Sequence, residues 1–471
     1  MDLAKLCSRA GLPIEPGDTD GVDVGSIDYR SDQVAPGSLF CCLRGAKQDG
    51  HEFAAAAVER GAVALVVERT LPLAVPQVHV GDARSAMGLL AAELAGAPSD
   101  TLDVVGLTGT NGKTTTSFLV AGILDAAGRR CGLVGTVEQR IGGVRVSAGL
   151  TTPESPELQR AFRQMLEAGD RTCAIEASSI AISQRRLVGT RFAAVAFTNL
   201  SQDHLDFHGD METYFESKAE LFDGRFPRAV NAADAYGRRL GAELRFGAGG
   251  DVTAADVRLH ADRSELVVRT PRGELALTTR VCGAFNVENV LCAVALALLL
   301  DVPDEAIVRG LAETSGPPGR FEPIDCGQPF GVFVDYAHTP AGLDSVLAAV
   351  RPMATGRVLC VFGAGGDRDP AKRPLMGAAA EAGADAIYVT SDNPRSEPNE
   401  LIVEQILAGL RAPARATVEH DRRAAIARAL AEAGPGDVVV IAGKGHEQGQ
   451  DVGGIVPPFD DRAVARELLR A

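Results

Sequence analysis

The sequence lacks any hydrophobic run long enough to cross a bilayer. Its longest apolar stretch covers residues 290–300, whereas a membrane-spanning helix needs about 20 apolar residues. We therefore predict a buried helix there and no membrane insertion. Residues 1–5 also lack the apolar core of a secretion signal. These two absences favour a cytoplasmic location.

Cysteine pairs at metal-binding spacing are also missing. The chain has nine cysteines but no C-x-x-C pair, which argues against a disulfide framework and a cysteine-based metal site. We expect reduced, mostly buried thiols. The adjacent Cys41 and Cys42 lie in an apolar run and are predicted to be part of the core.

Positive charge is in deficit, because 47 Lys and Arg residues oppose 62 Asp and Glu residues and give a net charge of −15. A field of that sign disfavours nucleic-acid backbones and anionic membranes as partners. It leaves room for anionic small molecules, since local arginines decide their binding. No internal repeat, heptad run or low-complexity tract is present, so the sequence indicates ordinary globular domains.

The length of 471 residues allows about three domains. We predict an α/β fold in which residues 1–100 form a small N-terminal domain, residues 101–322 a central doubly wound domain with a phosphate loop, and residues 323–471 a Rossmann-like C-terminal domain. The proposed boundaries follow a linker at residues 98–100 and a Gly-Pro cluster at residues 316–319. Apolar runs predict strands at residues 38–43, 62–67, 173–176, 193–197, 332–334, 358–362, 386–389 and 438–441.

One stretch combines a strand, a glycine-rich loop and a helix start. The apolar residues 104–108 are followed by GTNGKT at residues 109–114. Glycines let a backbone approach a phosphate, and a helix N-terminus offers it free N–H groups. Lys113 is placed to reach the β- and γ-phosphates, and Thr114 to bind Mg²⁺. The general P-loop pattern fails at Leu107, but G-x-x-G-K-T is complete. An ordinary glycine-rich turn is the alternative, and the register of Lys113 and Thr114 argues against it.

Further polar residues follow predicted strands. Glu176 ends one of them, and a carboxylate there, in a phosphate-loop domain, is a natural Mg²⁺ ligand; the alternative is a helix N-cap. Residues 151–153, Thr-Thr-Pro, give a weaker signal, with a capped helix start as the alternative. Residues 203–208 hold two histidines and two aspartates out of only eight histidines in the chain. This density favours a metal role for His204 beside ATP. Lys218 lies in an amphipathic helix, where spacing alone favours a solvated face.

Several spaced motifs resemble those of the Mur ligases, the ATP-dependent enzymes that add amino acids to peptidoglycan precursors. Within that family they resemble the members that add the third residue of the stem peptide. The motifs are GTNGKT at residues 109–114, DHLD at 203–206, GRFE at 319–322, DYAHTP at 335–340 and DNPR at 392–395. They occur in the family's order between about residues 31 and 451. The resemblance implies a monomer that uses ATP and two Mg²⁺ ions and acts on small molecules.

The resemblance also assigns roles to individual positions. The catalytic set is Lys113, Glu176, His204 and Lys218. The metal ligands are Thr114, Glu176, His204 and Lys218, the last as a carbamate formed with CO₂. The ATP-binding positions are Gly109, Thr110, Asn111, Gly112, Lys113, Thr114, Thr115, Asn286, Arg320 and Asp335. The UDP-muramoyl-dipeptide positions are Ser31, Ala46, Lys47, Gln48, Thr151, Thr152, Ser178, Gln184 and Arg186. The diaminopimelate positions are Arg368, Asp392, Asn393, Pro394, Arg395, Gly443 and Glu447.

Two departures from the family's pattern stand out. The family has Asp-Ser-Arg around the uridine-side serine, whereas this chain has Arg30-Ser31-Asp32. It also has histidine after Ser-Ser, where this chain has Ile180. The resemblance therefore implies that any role of that histidine is absent or moved here.

The implied reaction phosphorylates the terminal carboxylate of UDP-N-acetylmuramoyl-L-alanyl-D-glutamate with ATP, after which the amine of meso-diaminopimelate attacks the acyl phosphate. In the family, arginine at the end of DNPR accompanies diaminopimelate rather than lysine. A structural ion pair between Arg395 and Asp392 is the alternative role for that arginine. Two other functions stay open at the level of sequence, a folylpolyglutamate synthetase and a nucleotide-dependent switch that forms no bond.

Overall fold

The computed structural model describes residues 1–13, 21–45, 48–146, 149–260 and 263–470. Ala46 and Lys47, which the sequence analysis assigned to the uridine side, lie outside the described residues. Within the described ranges, no helix is both long enough and apolar enough to span a membrane. All nine cysteines are free thiols, and eight of them are buried, as expected.

The N-terminal part is a parallel four-stranded sheet, in the order β1-β2-β3-β4, with helices against it. Its strands and helices are α1 (Leu3–Arg9), β1 (Ser26–Asp28), β2 (Ser38–Cys41), α2 (Ala54–Glu59), β3 (Ala62–Val67), β4 (Gln77–His79) and α3 (Ala83–Leu94). Cys41 and Cys42 are fully buried, which confirms their place in the core. The linker predicted at residues 98–100 falls on a short, ordered turn, and the domain boundary there stays a prediction. Pro98–Asp100 is a 3₁₀ turn in which Pro98 and Ser99 are buried, and Ser99 Oγ accepts a hydrogen bond from the Arg191 N–H at 3.0 Å.

The central sheet has eight strands in the order β12-β11-β10-β5-β9-β6-β7-β8. The strands are β5 (Asp103–Thr108), β6 (Cys131–Val134), β7 (Gln139–Ile141), β8 (Val144–Val146), β9 (Thr172–Glu176), β10 (Phe192–Phe197), β11 (Arg228–Asn231) and β12 (Leu244–Phe246). The helices are α4 (Lys113–Ala126), α5 (Ser155–Glu167), α6 (Ser179–Ser183), α7 (Leu205–His208) and α8 (Met211–Ala219). All pairings are parallel except β6 with β7 and β7 with β8.

This central sheet is covered on both faces, as a doubly wound fold requires. Side chains of β5 alternate between two separate hydrophobic clusters, with Val105 and Leu107 in one and Val104 in the other. The apolar run at residues 290–300 falls largely in α9 (Phe285–Leu299), whose side chains are almost all buried in the first cluster. The prediction of a buried helix there is confirmed.

A three-stranded antiparallel sheet follows the central sheet, and the predicted strand–helix alternation did not include it. It consists of β13 (Thr253–Leu259), β14 (Ser264–Thr270) and β15 (Gly273–Thr279), and α9 and α10 (Asp304–Glu313) follow. Leu266, Val268, Leu275 and Leu277 are buried while the residues between them are more exposed. This period of two is typical of a half-buried antiparallel sheet.

The C-terminal sheet has the order β16-β17-β21-β18-β19-β20 and is parallel except for β16 with β17. Its strands are β16 (Glu322–Pro323), β17 (Gly331–Asp335), β18 (Val358–Phe362), β19 (Ala386–Val389), β20 (Thr417–Val418) and β21 (Val438–Ala442). Its helices are α11 (Pro340–Val350), α12 (Lys372–Gly383), α13 (Asn399–Leu407), α14 (Arg422–Glu432) and α15 (Asp461–Arg470). Hydrophobic clusters lie on both faces. The four strands predicted in this region are confirmed within one residue at each end.

Candidate active site

The loop between β5 and α4 has the geometry of a phosphate cradle. Gly109 and Gly112 adopt φ values of 142° and 86°. A Cβ at Gly109 would lie 2.0 Å from Thr198 Oγ1, and one at Gly112 would lie 2.2 Å from Asn289 Oδ1. Both positions therefore require glycine. No side chain caps the N-terminus of α4, so its N–H groups and dipole are available to an anion.

Lys113 is the first residue of α4, and its side chain turns back onto this loop. Its Nζ donates to the carbonyl oxygens of Gly109 and Thr110, each at 2.9 Å. Burial lowers the pKa of Lys113, and the nearby Glu176 carboxylate opposes that shift. A phosphate in the cradle would meet this ammonium group.

Glu176 is the last residue of β9, and its carboxylate is almost completely buried. Its Oε2 accepts a hydrogen bond from Thr114 Oγ1 at 3.0 Å. A carboxylate and a hydroxyl in contact beside a phosphate cradle are oxygen donors of the kind that Mg²⁺ prefers. The alternative N-cap role for Glu176 is wrong, because Ser178 caps α6 by accepting from the Ala181 N–H at 3.3 Å.

Lys218 is buried, so the solvated helix face that its spacing favoured is wrong. Its side chain is only 1% exposed. Its Nζ donates to Gly109 O at 2.9 Å and lies 4.6 Å from the centre of the Tyr214 ring. Burial, with Lys113 nearby, lowers the pKa of Lys218 well below its usual value. A neutral amine is the form that reacts with CO₂.

His204 stands just before α7 with a φ of 53°. Its Nε2 is 3.5 Å from Asp203 Oδ2, and its ring lies 6.3 Å from that of Tyr214. Partial desolvation lowers the pKa of His204, although 46% of its side chain is exposed, and a lowered pKa favours the neutral imidazole that metals bind. Among the described residues, no three His, Cys, Asp or Glu side chains are close enough to hold a metal by themselves. A Mg²⁺ ion here would take other ligands from phosphates and water, as is usual for this ion.

Further residues assigned to the nucleotide belong to the loop or lie near it. Asn111 N–H donates to Asn199 Oδ1 at 3.0 Å, and Thr110 Oγ1 lies 3.2 Å from the Tyr214 hydroxyl. Thr115 is buried in α4. Asn286 is buried, and its Oδ1 accepts from Asn289 Nδ2 at 2.7 Å. Asn286 therefore supports the side chain that packs against Gly112.

Arg320 and Asp335 lie where the central and C-terminal parts meet. The Arg320 guanidinium stacks 4.4 Å from the Tyr336 ring, and its buried Nε has no hydrogen-bond partner. The Asp335 carboxylate accepts the N–H groups of Phe321 and Ala337 at 2.6 and 2.7 Å. Burial raises the pKa of Asp335 to about 6, although Arg320 acts in the opposite direction.

The residues assigned to the muramoyl-peptide side in the central part form one connected group. Thr152 Oγ1 donates to Glu176 O at 2.7 Å, and it accepts from the Ser178 N–H at 3.2 Å. Arg186 donates to Thr152 O at 3.0 Å and to Gln184 Oε1 at 2.6 Å. The peptide-side residues are therefore joined to the backbone of the strand that carries Glu176.

Of the residues assigned to the uridine side, the structure describes Ser31 and Gln48, both in the N-terminal part. Ser31 is half-buried and Gln48 exposed. The exchanged neighbours of Ser31 still pair with each other, since Arg30 Nη2 lies 3.0 Å from Asp32 Oδ2. Ile180, the second departure, is half-buried in α6.

The DNPR segment after β19 joins the segment after β21. Asn393 Nδ2 donates to Glu447 Oε2 at 2.7 Å, and Asn393 Oδ1 accepts from the buried Lys444 Nζ at 2.9 Å. A Cβ at Gly443 would lie 2.5 Å from Asp392 Oδ2, so only glycine fits there. The structure thus brings Asp392, Asn393, Gly443 and Glu447 together.

Arg395 has a φ of 52° and donates from Nη1 to Gly366 O at 2.6 Å. Within the described residues no ion pair joins Arg395 to Asp392, so the alternative of a structural pair is wrong. Pro394 O packs against Gly366, and a Cβ at the neighbouring Gly365 would lie 3.0 Å from Arg395 Nη1 and 3.8 Å from Arg368 Cγ. Arg368 and Arg395 therefore both lie against the glycine-rich loop after β18.

Three further polar residues belong to this region, and the sequence analysis did not single them out. Tyr214 lies between His204 and Lys218, Lys444 holds Asn393 and Glu447, and Thr136 contacts the Glu176 carboxylate. Thr136 follows β6, which is the parallel neighbour of β9. Its position just beyond the carboxyl end of a strand could have marked Thr136 as a site residue from the sequence.

Comparison with known proteins gives matches along most of the chain. Three family models match: "Mur ligase family, catalytic domain" over residues 23–95, "Mur ligase middle domain" over residues 107–297, and "Mur ligase, glutamate ligase domain" over residues 319–445. A relative from Aquifex aeolicus, named UDP-N-acetylmuramoyl-L-alanyl-D-glutamate–2,6-diaminopimelate ligase, is 43% identical and covers 95% of this chain and 94% of its own. A relative of the same name from Gloeobacter violaceus is 44% identical, covering 100% and 98%.

Solved structures match over the same length. One described as UDP-N-acetylmuramoyl-L-alanyl-D-glutamate–2,6-diaminopimelate ligase is 32% identical, with a TM-score of 0.73, covering 100% of this chain and 99% of its own. The MurF ligase of Thermotoga maritima in complex with ADP shares the fold at 19% identity and a TM-score of 0.62, covering 96% and 97%. From the full-length matches and the motifs that its fold brings together, the chain belongs to the Mur ligase family.

Proposed function

We propose that this chain is the ATP-dependent ligase that adds meso-diaminopimelate to UDP-N-acetylmuramoyl-L-alanyl-D-glutamate in peptidoglycan precursor synthesis. The observation that carries the proposal is the convergence of two lysines, the half-buried Lys113 and the buried Lys218, on the phosphate loop. Gly109 O accepts hydrogen bonds from both Lys113 Nζ and Lys218 Nζ at 2.9 Å. The contact between Thr114 and Glu176 lies beside them. A nucleotide switch has no need for this second, buried lysine.

In the proposed reaction the loop and Lys113 hold the phosphates of ATP. The N–H groups at the start of α4 and the Lys113 ammonium stabilise charge on the phosphoryl group as it moves to the terminal carboxylate of the dipeptide. Thr114 and Glu176 would hold one Mg²⁺, and His204 with a carbamate on Lys218 would hold a second. Bound there, Mg²⁺ supplies positive charge that offsets the repulsion between carboxylate and γ-phosphate.

The acceptor substrate would lie between the N-terminal and central parts. We infer that Thr151, Thr152, Ser178, Gln184 and Arg186 hold its muramoyl-peptide end, and that Ser31, Ala46, Lys47 and Gln48 contact the uridine nucleotide. Arg186 is fixed by Glu154, whose Oε1 lies 3.0 Å from Arg186 Nε. Glu154 also contacts Arg84 of α3 at 3.2 Å. An oriented arginine at this junction suits an anionic peptide.

The incoming amino acid would lie on the loops after β18, β19 and β21. Arginine binds a carboxylate with two parallel hydrogen bonds, so Arg395 and Arg368 suit the distal carboxylate of diaminopimelate, which lysine lacks. Glu447, held by Asn393 and Lys444, would face the distal amine. The α-amine attacks the acyl phosphate, and collapse of the tetrahedral intermediate releases phosphate and leaves an amide.

The domain roles follow from this assignment. We propose that residues 1–100 bind the uridine nucleotide, residues 101–322 bind ATP, and residues 323–471 bind the amino acid, in a monomeric cytoplasmic enzyme. The acceptor would then span the N-terminal and central domains, and the C-terminal domain would bring the amino acid to it. Closure of the three would exclude water from the acyl phosphate.

ADP release with defined substrates tests the proposal. The purified chain is assayed with ATP, Mg²⁺ and UDP-muramoyl-dipeptide, with meso-diaminopimelate, L-lysine or D-alanyl-D-alanine as the amine. A parallel arm replaces the dipeptide with folate and glutamate. We expect ADP release only with the dipeptide and meso-diaminopimelate together. Release in the folate arm would instead support a folylpolyglutamate synthetase, and nucleotide binding without any amine-dependent release would support a switch.

A further inference from the structure

Thr136 sits where the peptide side and the metal side of the site meet. β6 and β9 are parallel neighbours with Val134 opposite Ile175. The chain beyond β6 therefore runs alongside Glu176, the last residue of β9. Thr136 is the second residue after β6, and Gly135 comes between.

Both oxygens of the Glu176 carboxylate are held by this one threonine. The Thr136 N–H donates to Oε1 at 2.8 Å, and Thr136 Oγ1 donates to Oε2 at 3.0 Å. A Cβ at Gly135 would lie 2.3 Å from Oε1, so glycine there is what allows the close approach. Two contacts to two oxygens fix the plane of the carboxylate as well as its position.

The number of protons on each hydroxyl determines which of Thr136 and Thr151 donates the hydrogen bond between them. A threonine hydroxyl has one proton to donate and can still accept. Because Thr136 Oγ1 gives its proton to the Glu176 carboxylate, it is the acceptor at its 3.1 Å contact with Thr151 Oγ1. Thr151 belongs to the proposed peptide side. The chain of hydrogen bonds therefore runs from Thr151 through Thr136 to Glu176.

We propose that Thr136 is a positioning residue that orients the Glu176 carboxylate for Mg²⁺ and links it to the muramoyl-peptide side. The inference deepens the proposed function and rests on its assignment of Glu176 as a metal ligand. Carboxylate ligands are commonly held by such outer hydrogen bonds, and losing one typically costs about 10–100-fold in metal affinity or activity. Thr136→Val removes the hydroxyl at nearly constant volume and keeps the backbone N–H contact. Thr136→Ser keeps the hydroxyl.

The first measurement is binding of Mn²⁺ in the presence of ADP, followed by the electron paramagnetic resonance signal of free Mn²⁺, which needs no turnover. We expect Thr136→Val to weaken Mn²⁺ binding by about tenfold or more, and Thr136→Ser to stay within about threefold of the wild type. Thr190→Val is the matched control. It removes a buried threonine hydroxyl, bonded to Gln159 Nε2 at 3.0 Å, that is not part of the proposed site, and it should leave Mn²⁺ binding unchanged.

The second measurement is the Mg²⁺ dependence of ADP release with both substrates. Thr136→Val should raise the Mg²⁺ concentration at half-maximal rate by a similar factor. Unchanged Mn²⁺ affinity in Thr136→Val would overturn the inference, as would an equal loss in Thr136→Ser. If Thr136→Val does not fold, the Mn²⁺ affinity of Thr136→Ala is compared with that of Thr136→Ser instead, and equal affinities would overturn the inference. The wild-type chain could release no ADP with the muramoyl substrates while Thr136→Val still weakens Mn²⁺ binding. That result would count against the proposed function but not against the role of Thr136.

Discussion

At the scale of single residues, Lys113 and Lys218 share one hydrogen-bond acceptor. Lys113 and Lys218 come from sequence positions 105 residues apart (218 − 113), yet both donate to Gly109 O. Two ammonium groups on one carbonyl repel each other, and burial adds to the cost of both charges. The pKa of Lys218 is therefore lowered further by Lys113. This arrangement leads to separate predictions for the two lysines.

Lys113→Ala should abolish phosphoryl transfer without unfolding the protein. It removes the cation that faces the phosphate cradle, and losing one such electrostatic contact costs about a hundredfold or more in rate. The check is single-turnover ADP formation beside a thermal melt. Turnover close to that of the wild type would refute the assignment of this loop.

Lys218→Ala should be nearly inactive, and a short carboxylic acid such as acetate should restore part of the rate by supplying the missing carboxylate. Lys5→Ala is the control, because Lys5 is exposed on α1 and should be silent. ADP release is measured with and without added acetate. Full activity of Lys218→Ala in plain buffer would contradict a catalytic role for this residue.

The pKa of His446 predicts how the stability of the fold depends on pH. Burial lowers its pKa from 6.5 to about 4, with Arg320 and Arg462 acting in the same direction and the backbone of Thr136 against it. Between these values the unfolded chain binds a proton that the folded chain does not, so stability falls as the pH drops from about 6.5 to 4. His446→Gln should remove at most about 3 kcal/mol of this loss. The check is unfolding of both proteins across that range, and equal pH slopes would contradict it.

At the scale of elements, the strand–loop–helix around residues 103–126 carries the site. Gly112→Ala should weaken ADP binding strongly, because the new Cβ meets Asn289 Oδ1 at 2.2 Å. Gly128→Ala is the matched control. Gly128 has a similar φ of 76° with nothing within 4 Å, so it should share only the backbone cost of about 1 kcal/mol. Calorimetry with ADP separates the two, and equal ADP affinity in both variants would contradict the tight-loop account.

Elements were predictable where one short-range signal determines them. The strand at residues 62–67 and those at 358–362 and 386–389 follow from apolar runs, and the phosphate loop from the register of Gly109, Gly112 and Lys113. The sheet of β13, β14 and β15 was missed, although Leu275 and Leu277 alternate with smaller or polar residues in the sequence of β15. The burial of Lys218 could not be seen from helix spacing. It depends on Gly109 and Tyr214, which only the tertiary fold brings to it.

At the scale of the whole molecule, the segment that leads into the C-terminal sheet makes a close backbone contact with the loop after β21. A Cβ at Gly319 would lie 2.1 Å from the Gly445 carbonyl carbon. The Tyr336 ring packs 5.0 Å from His446 and 4.4 Å from the Arg320 guanidinium. These contacts place the proposed amino-acid loops beside the residues that would hold the nucleotide. Under the proposed function, the choice of amino acid would depend on this junction as well as on Arg395.

Arg395→Ala tests the proposed preference for diaminopimelate directly. Arg395 is half-buried here, and bound diaminopimelate would turn its contact into a buried charge pair. Truncating such a pair costs about 2–5 kcal/mol, so most activity with diaminopimelate should be lost while ADP affinity stays near normal. Arg351→Ala is the control, since Arg351 pairs with Asp385 on the surface at 2.8 Å. A variant that retained wild-type kcat/KM for diaminopimelate would contradict the assignment of Arg395.

The most direct test of the account is a competition between amino acids for the wild-type enzyme. UDP-muramoyl-dipeptide and ATP are supplied with equal concentrations of meso-diaminopimelate and L-lysine, and the UDP-linked products are identified by mass spectrometry. A site that binds a polar group of its substrate rejects an analogue without it by about four decades. We predict the diaminopimelate adduct alone. A lysine adduct of comparable abundance, or no UDP-linked product at all, would contradict the account.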